Sequence, residues 1–218
     1  MKKLITIVAF AAMAATATAT ANAQQTLTRL LRQPDIHGDR VAFVYAGDIW
    51  IAPAAGGEAR RLTSDDGMEY FPKFSPDGRW IAYVSDESGQ DEVYVRPFPP
   101  RPGKWKVSVS GNRGTQPRWR RDGKELFYME SVGGAGHRWM SVPVRPGLGG
   151  GFEIGASTQL FALPTTFTTA IQYNDFVYSP SPDGQRLLLN TSVVNADTAL
   201  LNVIVNWQKA AAPPAREP

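Results

Sequence analysis

Apolar residues in this chain come in short runs, each announced by a turn signature, and convincing helical periodicity is absent beyond the N-terminal leader. His37-Gly38-Asp39-Arg40 precedes Val41–Tyr45, and Ser75-Pro76-Asp77-Gly78-Arg79 precedes Trp80–Val84. Arg121-Asp122-Gly123-Lys124 precedes Glu125–Met129, and Ser181-Pro182-Asp183-Gly184-Gln185 precedes Arg186–Asn190. Proline fixes φ at the entry, aspartate bonds its own backbone and glycine takes the positive φ that reverses the chain, so each unit predicts a β-hairpin. The four aspartates are spaced 38, 45 and 61 residues apart, the last interval stretched by Gly147–Gly151, which reads as a flexible insertion.

Further β-rich runs follow each hairpin: Asp48–Ala52, Glu92–Arg96, Arg138–Val142 and Ala199–Trp207, with Ala59–Thr63 and Trp105–Val109 closing the first two units. The pattern predicts an all-β repeat protein of four units, each of roughly four strands. Runs such as Trp80–Val84 are apolar on both faces, which suits a sheet held between neighbouring sheets. The last unit supplies only three strands, and Thr26–Leu31 is expected to pair beside Ala199–Asn206 and cover the open edge.

Composition narrows the chemistry. The 218 residues include no cysteine and two histidines, which excludes a disulfide framework, a thiolate metal site and a three-histidine zinc centre. Lys2-Lys3, the apolar run Leu4–Ala15 and the small residues ending Ala21-Asn22-Ala23 predict a secretory leader over residues 1–23, cleaved before Gln24. Its removal lowers the formal charge from +3 to +1 and weakens any general nucleic-acid or membrane-surface role. No later stretch is long enough to span a bilayer. Residues 209–218 read as a disordered polar tail behind a domain over 24–208.

The residues also carry a resemblance. Phe74–Tyr83 followed by Asp91–Val95 resembles the TolB-type, WD-like propeller repeat of bacterial exported proteins. Leu30–Ile36, Gly47–Trp50 and Gly56–Thr63 are similar to the propeller that opens tricorn-protease homologues. The second half, with Gln116–Gly123 and Val205-Asn206-Trp207, is similar to propeller modules at the C-termini of bacterial receptor-type kinases. The resemblance implies a β-propeller of about four blades, with the first strand of each blade lining a central channel. The loops between second and third strands, and between blades, then form one rim. That geometry nominates Asp66, Glu69, Tyr70, Asp86, Arg113, Gln116, His137 and Tyr173 as the ligand-facing rim.

The chemistry expected of that rim is binding. No Gly-x-Ser-x-Gly elbow occurs, and Phe152 stands where a dinucleotide fingerprint needs its third glycine. His37 reads as structural, and His137 lacks a placed acid and nucleophile. Asp86–Asp91 lacks the ligand alternation of a calcium loop and reads as solvated, so no catalytic residue, metal or cofactor is expected. Glu58–Glu92 carries net charge −5 and Arg96–Lys124 carries +8, a contrast read as electrostatic matching between adjacent sheets. A sharper alternative gathers Arg113, Arg118, Arg120 and Arg121 with Trp105 and Trp119 into an anion patch. The sequence thus predicts an exported, non-catalytic binding module for a protein or peptide partner in the envelope, with self-association to complete a larger ring left open. The alternatives are a detached gating or substrate-binding propeller of a tricorn-like peptidase system and a stand-alone propeller hydrolase.

N-terminal sequencing of the protein from its native host should find Gln24 as the first residue. Recovery of an intact, cytosolic Met1 form would overturn both the export reading and the discount applied to the basic charge.

Overall fold

The four turn signatures make four hairpins, and each hairpin seeds one antiparallel sheet. The structure is a computed structural model that describes residues 31–108, 111–133, 136–163, 176–190 and 203–205. The chain divides into Met1–Arg32 and Gln33–Pro218, and the sheets below belong to the second unit apart from the first residue of β1. Sheet 1 runs β1 (Arg32–His37), β2 (Arg40–Tyr45), β3 (Asp48–Pro53), β4 (Arg60–Arg61), and sheet 2 runs β5 (Glu69–Phe74), β6 (Trp80–Ser85), β7 (Glu92–Pro97), β8 (Trp105–Lys106). Sheet 3 joins β9 (Arg113–Trp119), β10 (Glu125–Ser131) and β11 (His137–Pro146), and both β12 (Phe152–Ile154) and β13 (Thr158–Leu163) pair with β11. Sheet 4 comprises β14 (Tyr178–Pro180), β15 (Arg186–Leu189) and β16 (Val203–Val205). This is the all-β architecture expected from the sequence, with one antiparallel sheet per repeat.

The turn chemistry is that read from the sequence. The Ser75 hydroxyl accepts the Trp80 N–H at 3.0 Å and donates to Asp77 at 2.6 Å, while Asp77 accepts the Arg79 N–H at 3.1 Å. Ser181 and Asp183 repeat the arrangement with the N–H groups of Arg186 and Gln185, both at 3.0 Å. Gly78 and Gly184 have φ of +67° and +71°, and each is also a point of close approach between sheets. A Cβ on Gly78 would lie 2.4 Å from His37 Nε2, and one on Gly184 would lie 2.8 Å from Arg120 Cδ. His37 is therefore structural, as expected: it packs one sheet against the next.

Two-sided burial follows from strand alternation. In β6, Ile81 and Tyr83 pack with Ala42, Ile49 and Ile51 of sheet 1, while Trp80, Ala82 and Val84 pack with Leu126, Tyr128 and Val142 of sheet 3. In β10, Leu126 and Tyr128 face sheet 2, whereas Phe127 and Met129 face Tyr178, Leu187 and Leu189 of sheet 4. In β15 Leu187 and Leu189 are buried and Leu188 is exposed, so among the described residues one face of that strand is covered. Pairing of Thr26–Leu31 with the last strand, the leader and the tail lie outside the described residues, save Leu31 itself.

Gly147–Gly151, read from the sequence as a flexible insertion, forms a hydrogen-bonded turn. It closes a turn from β11 into β12, with the Gly147 N–H donating to Gly151 O at 2.8 Å. The turn delivers Phe152 into a cluster with Trp80, Trp105 and Trp119, at ring separations of 4.8, 5.9 and 6.1 Å. The residue that spoils a phosphate-binding fingerprint is thus a hydrophobic plug between sheets 2 and 3.

Each of the first three inner strands carries a proline preceded by a non-glycine residue in left-handed backbone: Gln33 at φ 52°, Phe71 at 56° and Gln116 at 56°. A proline cannot donate to the ladder, and at Phe71-Pro72 and Gln116-Pro117 the register of the pairing slips, as in a bulge. The two glutamines bond the next sheet. Gln33 Oε1 accepts the Phe71 N–H at 2.7 Å, and Gln116 Oε1 accepts the Val177 N–H at 2.9 Å. Between sheets 2 and 3 the link runs from the Trp119 indole N–H to Lys73 O at 3.0 Å.

Gln116→Leu should leave the buried Val177 N–H without its acceptor and lower stability by about 1–3 kcal/mol, read as a lower chemical-denaturation midpoint with an unchanged slope. An unchanged midpoint would show that the carboxamide is not what holds sheet 4 to sheet 3.

Candidate functional site

The inner strands β1, β5, β9 and β14 have two ends, and polar chemistry collects at both. At their N-terminal end stand several of the residues nominated from the sequence. Asp66 and Arg113 are exposed, Asp86 and His137 are half-buried, and Met68, at 59% exposure, is an apolar side chain next to Gly67 and Glu69. Asp86 fixes the loop by accepting the Met68 N–H at 2.7 Å, and the Met68 side chain reaches toward Gly47 at the β2–β3 turn of sheet 1. Arg113 pairs with Asp91 at 2.8 Å, and His137 Nδ1 lies 3.4 Å from the Ser131 hydroxyl across the β10–β11 pair. Burial lowers the His137 pKa.

Three of the nominated residues are buried. Glu69 and Gln116 are 1% and 0% exposed, and Tyr70 is also buried. Sequence spacing placed all three correctly at the strand starts. It could not reveal that strand alternation and the bulge turn these side chains into the structure. Tyr173 lies outside the described residues.

The loop read as solvated is at least partly exposed from Asp86 to Gln90, and its Glu87 joins a group of acids. Asp65, Glu69 and Glu87 bring carboxylate oxygens within 4.8 Å of one another, a grouping that would suit a hard cation. The chain's own cations balance it: Lys104 Nζ lies 2.6 Å from Glu87 and 3.3 Å from Asp65, and Arg96 lies 3.4 Å from Asp65. Glu92, buried in the same sheet, pairs with Lys106 at 2.7 Å and accepts from the Ser108 hydroxyl. The opposite charges of Glu58–Glu92 and Arg96–Lys124 are matched largely within sheet 2 and at its border with sheet 3. The tight arginine patch does not form. Arg113 is engaged with Asp91, Arg120 pairs with Glu125 at 2.7 Å and Asp122 at 2.8 Å, and Trp105 belongs to the plug around Phe152.

The C-terminal ends of the inner strands enclose a cavity of about 320 Å³ that the sequence reading missed. All four sheets line it, through Asp35 and His37, Lys73 and Phe74, Arg118 and Trp119, and Ser179. Asp35 bridges two sheets, taking Lys73 Nζ at 2.7 Å and the Phe74 N–H at 2.8 Å. The Phe176 ring carries both cations, with Lys73 Nζ 4.7 Å and the Arg118 guanidinium 3.7 Å from its centre. The available signal was the shared place of Asp35, Lys73 and Arg118, each directly after an inner-strand proline.

Comparisons with known proteins agree with this architecture. The pattern of the tricorn protease N-terminal beta propeller domain matches residues 28–159. Tricorn protease homolog 1 of Streptomyces coelicolor is 40% identical over 97 residues, covering 44% of this chain and 9% of that protein. The Tol-Pal system protein TolB of Desulfosudis oleivorans is 28% identical over 95 residues, covering 42% of this chain and 19% of that protein. The crystal structure of TolB from Acinetobacter baumannii superimposes with a TM-score of 0.56 at 19% identity, over 72% of this chain and 36% of that one, a likeness of fold. The chain therefore matches only a minor part of the length of each. None of these supports the likeness of the second half to kinase-borne modules.

Glu69 generates a pH dependence. Burial pushes its carboxyl from an ordinary value of 4.5 to about 7, against the hydroxyls of Thr63 and Ser85 and with the charges of Asp48 and Asp65 adding to the rise. Between those two values the folded state holds a proton that the unfolded chain has lost, so stability falls as pH rises through the window and levels off above about 7. Glu69→Gln should flatten that slope and raise the denaturation midpoint above neutral pH. A variant with the wild-type slope would assign the dependence to other groups.

Proposed function

The chain belongs to the tricorn protease N-terminal β-propeller family, and from that premise we propose that it is an exported binding module that holds a protein or peptide partner in the cell envelope without turning it over. The observation that carries the reading is the N-terminal rim. An exposed methionine, Met68, is anchored through its N–H on Asp86, while Arg113 pairs with Asp91 and His137 lies beside Ser131 at the same ends of the strands. Methionine and arginine are enriched at protein interfaces, and a flexible apolar anchor framed by charge is how such surfaces combine contact area with orientation. The leader pattern supports the compartment.

The family favours one second reading, a gating or substrate-binding propeller that works beside a separate peptidase. Both readings require peptide or protein capture at the rim, and they differ in whether a peptidase is what is captured. A stand-alone hydrolase would need His137 to act, and a 3.4 Å contact with Ser131 is the side-chain partner that supports it.

Affinity capture of the tagged, leader-cleaved protein from the native envelope, followed by mass spectrometry, tests this. Specific capture should weaken at least about tenfold in Asp66→Ala and Arg113→Ala and decline with added salt, since rim charges act through screened fields. Turnover of ester, peptide or lactone substrates that His137→Ala abolishes, with no partner captured, would overturn the reading in favour of an enzyme.

A further inference from the structure

The cavity at the C-terminal ends of the inner strands holds a charge imbalance among the described residues. Two cations and one carboxylate face it, and the carboxylate is fully engaged, one oxygen on Lys73 Nζ and the other on the Phe74 N–H. Arg118 makes no ion pair among the described residues, and its Nε is buried with no hydrogen-bond partner. The guanidinium carbon lies 3.7 Å from the centre of the Phe176 ring, a contact that supplies no acceptor for the buried Nε–H. Burial lowers the pKa of both Arg118 and Lys73, so each cation is held at a cost in hydration. A desolvated cation with unmatched donors is unfavourable unless an acceptor completes it.

We propose that this cavity binds a small organic oxyanion, with Arg118 and Lys73 gripping a carboxylate or phosphate group between Trp119 and Ser179. The guanidinium fork fits two oxygens of one such group, which is the geometry a lone ammonium cannot provide. Lys73, already oriented by Asp35 and by Phe176, adds a second positive charge to the same space. Trp119, held by its indole bond to Lys73 O, and Phe74 supply apolar wall for the body of the ligand. At about 320 Å³ the volume sits at the small end of known ligand pockets, so the ligand is a compact acid or phosphomonoester and not a chain segment. The site is independent of the rim, because its residues lie at the opposite ends of the same strands.

The test uses the full leader-cleaved protein, with inorganic phosphate and citrate as probes against chloride at constant ionic strength. Either probe should raise the thermal midpoint saturably, and Arg118→Gln should weaken that response at least about tenfold while Arg121→Gln, which removes the same charge from an exposed turn, leaves it unchanged. A response to phosphate alone assigns the phosphomonoester class, to citrate alone the carboxylate class, and to both a general oxyanion site. Because Arg118→Gln also removes the contact with Phe176, a readout on the unmutated protein runs alongside: phenylglyoxal modification mapped by mass spectrometry, in which the saturating probe should protect Arg118 and not Arg121. Absence of a saturable response beyond chloride, equal loss in Arg121→Gln, or an Arg118 modified equally or not at all in both conditions would overturn the proposal. Partner capture by the rim should be the same in Arg118→Gln, so failure of one reading leaves the other distinguishable.

Discussion

A proline at the same place in three inner strands is the constraint from which much else follows. Pro34, Pro72 and Pro117 cannot donate to their ladders, and the residue before each takes a left-handed conformation that costs a non-glycine residue of order 1 kcal/mol or more. That strain is offset across the sheet boundary. Where the residue is Gln33 or Gln116, its carboxamide oxygen satisfies a backbone N–H of the following sheet. Where it is Phe71, the ring packs at 4.7 Å against Phe176, whose face holds the two cavity cations. The same local distortion therefore links neighbouring sheets and places the residues that line the cavity.

The two ends of the inner strands differ because charge is handled differently there. Toward the N-terminal end, acids and bases meet within sheet 2, in Lys104–Glu87 and Lys106–Glu92, and across its border with sheet 3, in Arg113–Asp91. Toward the C-terminal end, one charged residue enters from each of three sheets, directly after the proline, and Asp35, Lys73 and Arg118 do not cancel. An interface built on contact area and weak steering suits the first arrangement. A half-buried cation whose Nε–H lacks an acceptor suits a small anion.

Close packing between sheets explains why the turn glycines resist substitution beyond their own φ. Gly78 abuts His37 and Gly184 abuts Arg120, so the hairpin of one sheet is seated on the turn of the sheet before it. Local turn formation and assembly of neighbouring sheets are thus coupled through single positions. A repeat of this kind gains stability from its neighbours and has little alone.

The chain by itself determined the hairpins, the four-sheet repeat and the two-faced burial of Trp80–Val84. These are encoded in turn residues and in a two-residue period that need only local sequence. It also placed Asp66 and Asp86 in loops and Arg113 and His137 at strand starts, since loop position follows from strand order. Only the tertiary structure decided that Glu69, Tyr70 and Gln116 turn inward, because a bulge changes side-chain direction without changing spacing. It decided that Phe152 is a plug and not the end of a flexible loop, because its partners Trp80, Trp105 and Trp119 come from distant positions. The cavity is tertiary for the same reason: Asp35, Lys73, Arg118 and Phe176 meet only when four sheets stand side by side, and a one-dimensional pattern holds no record of which charges will share a space.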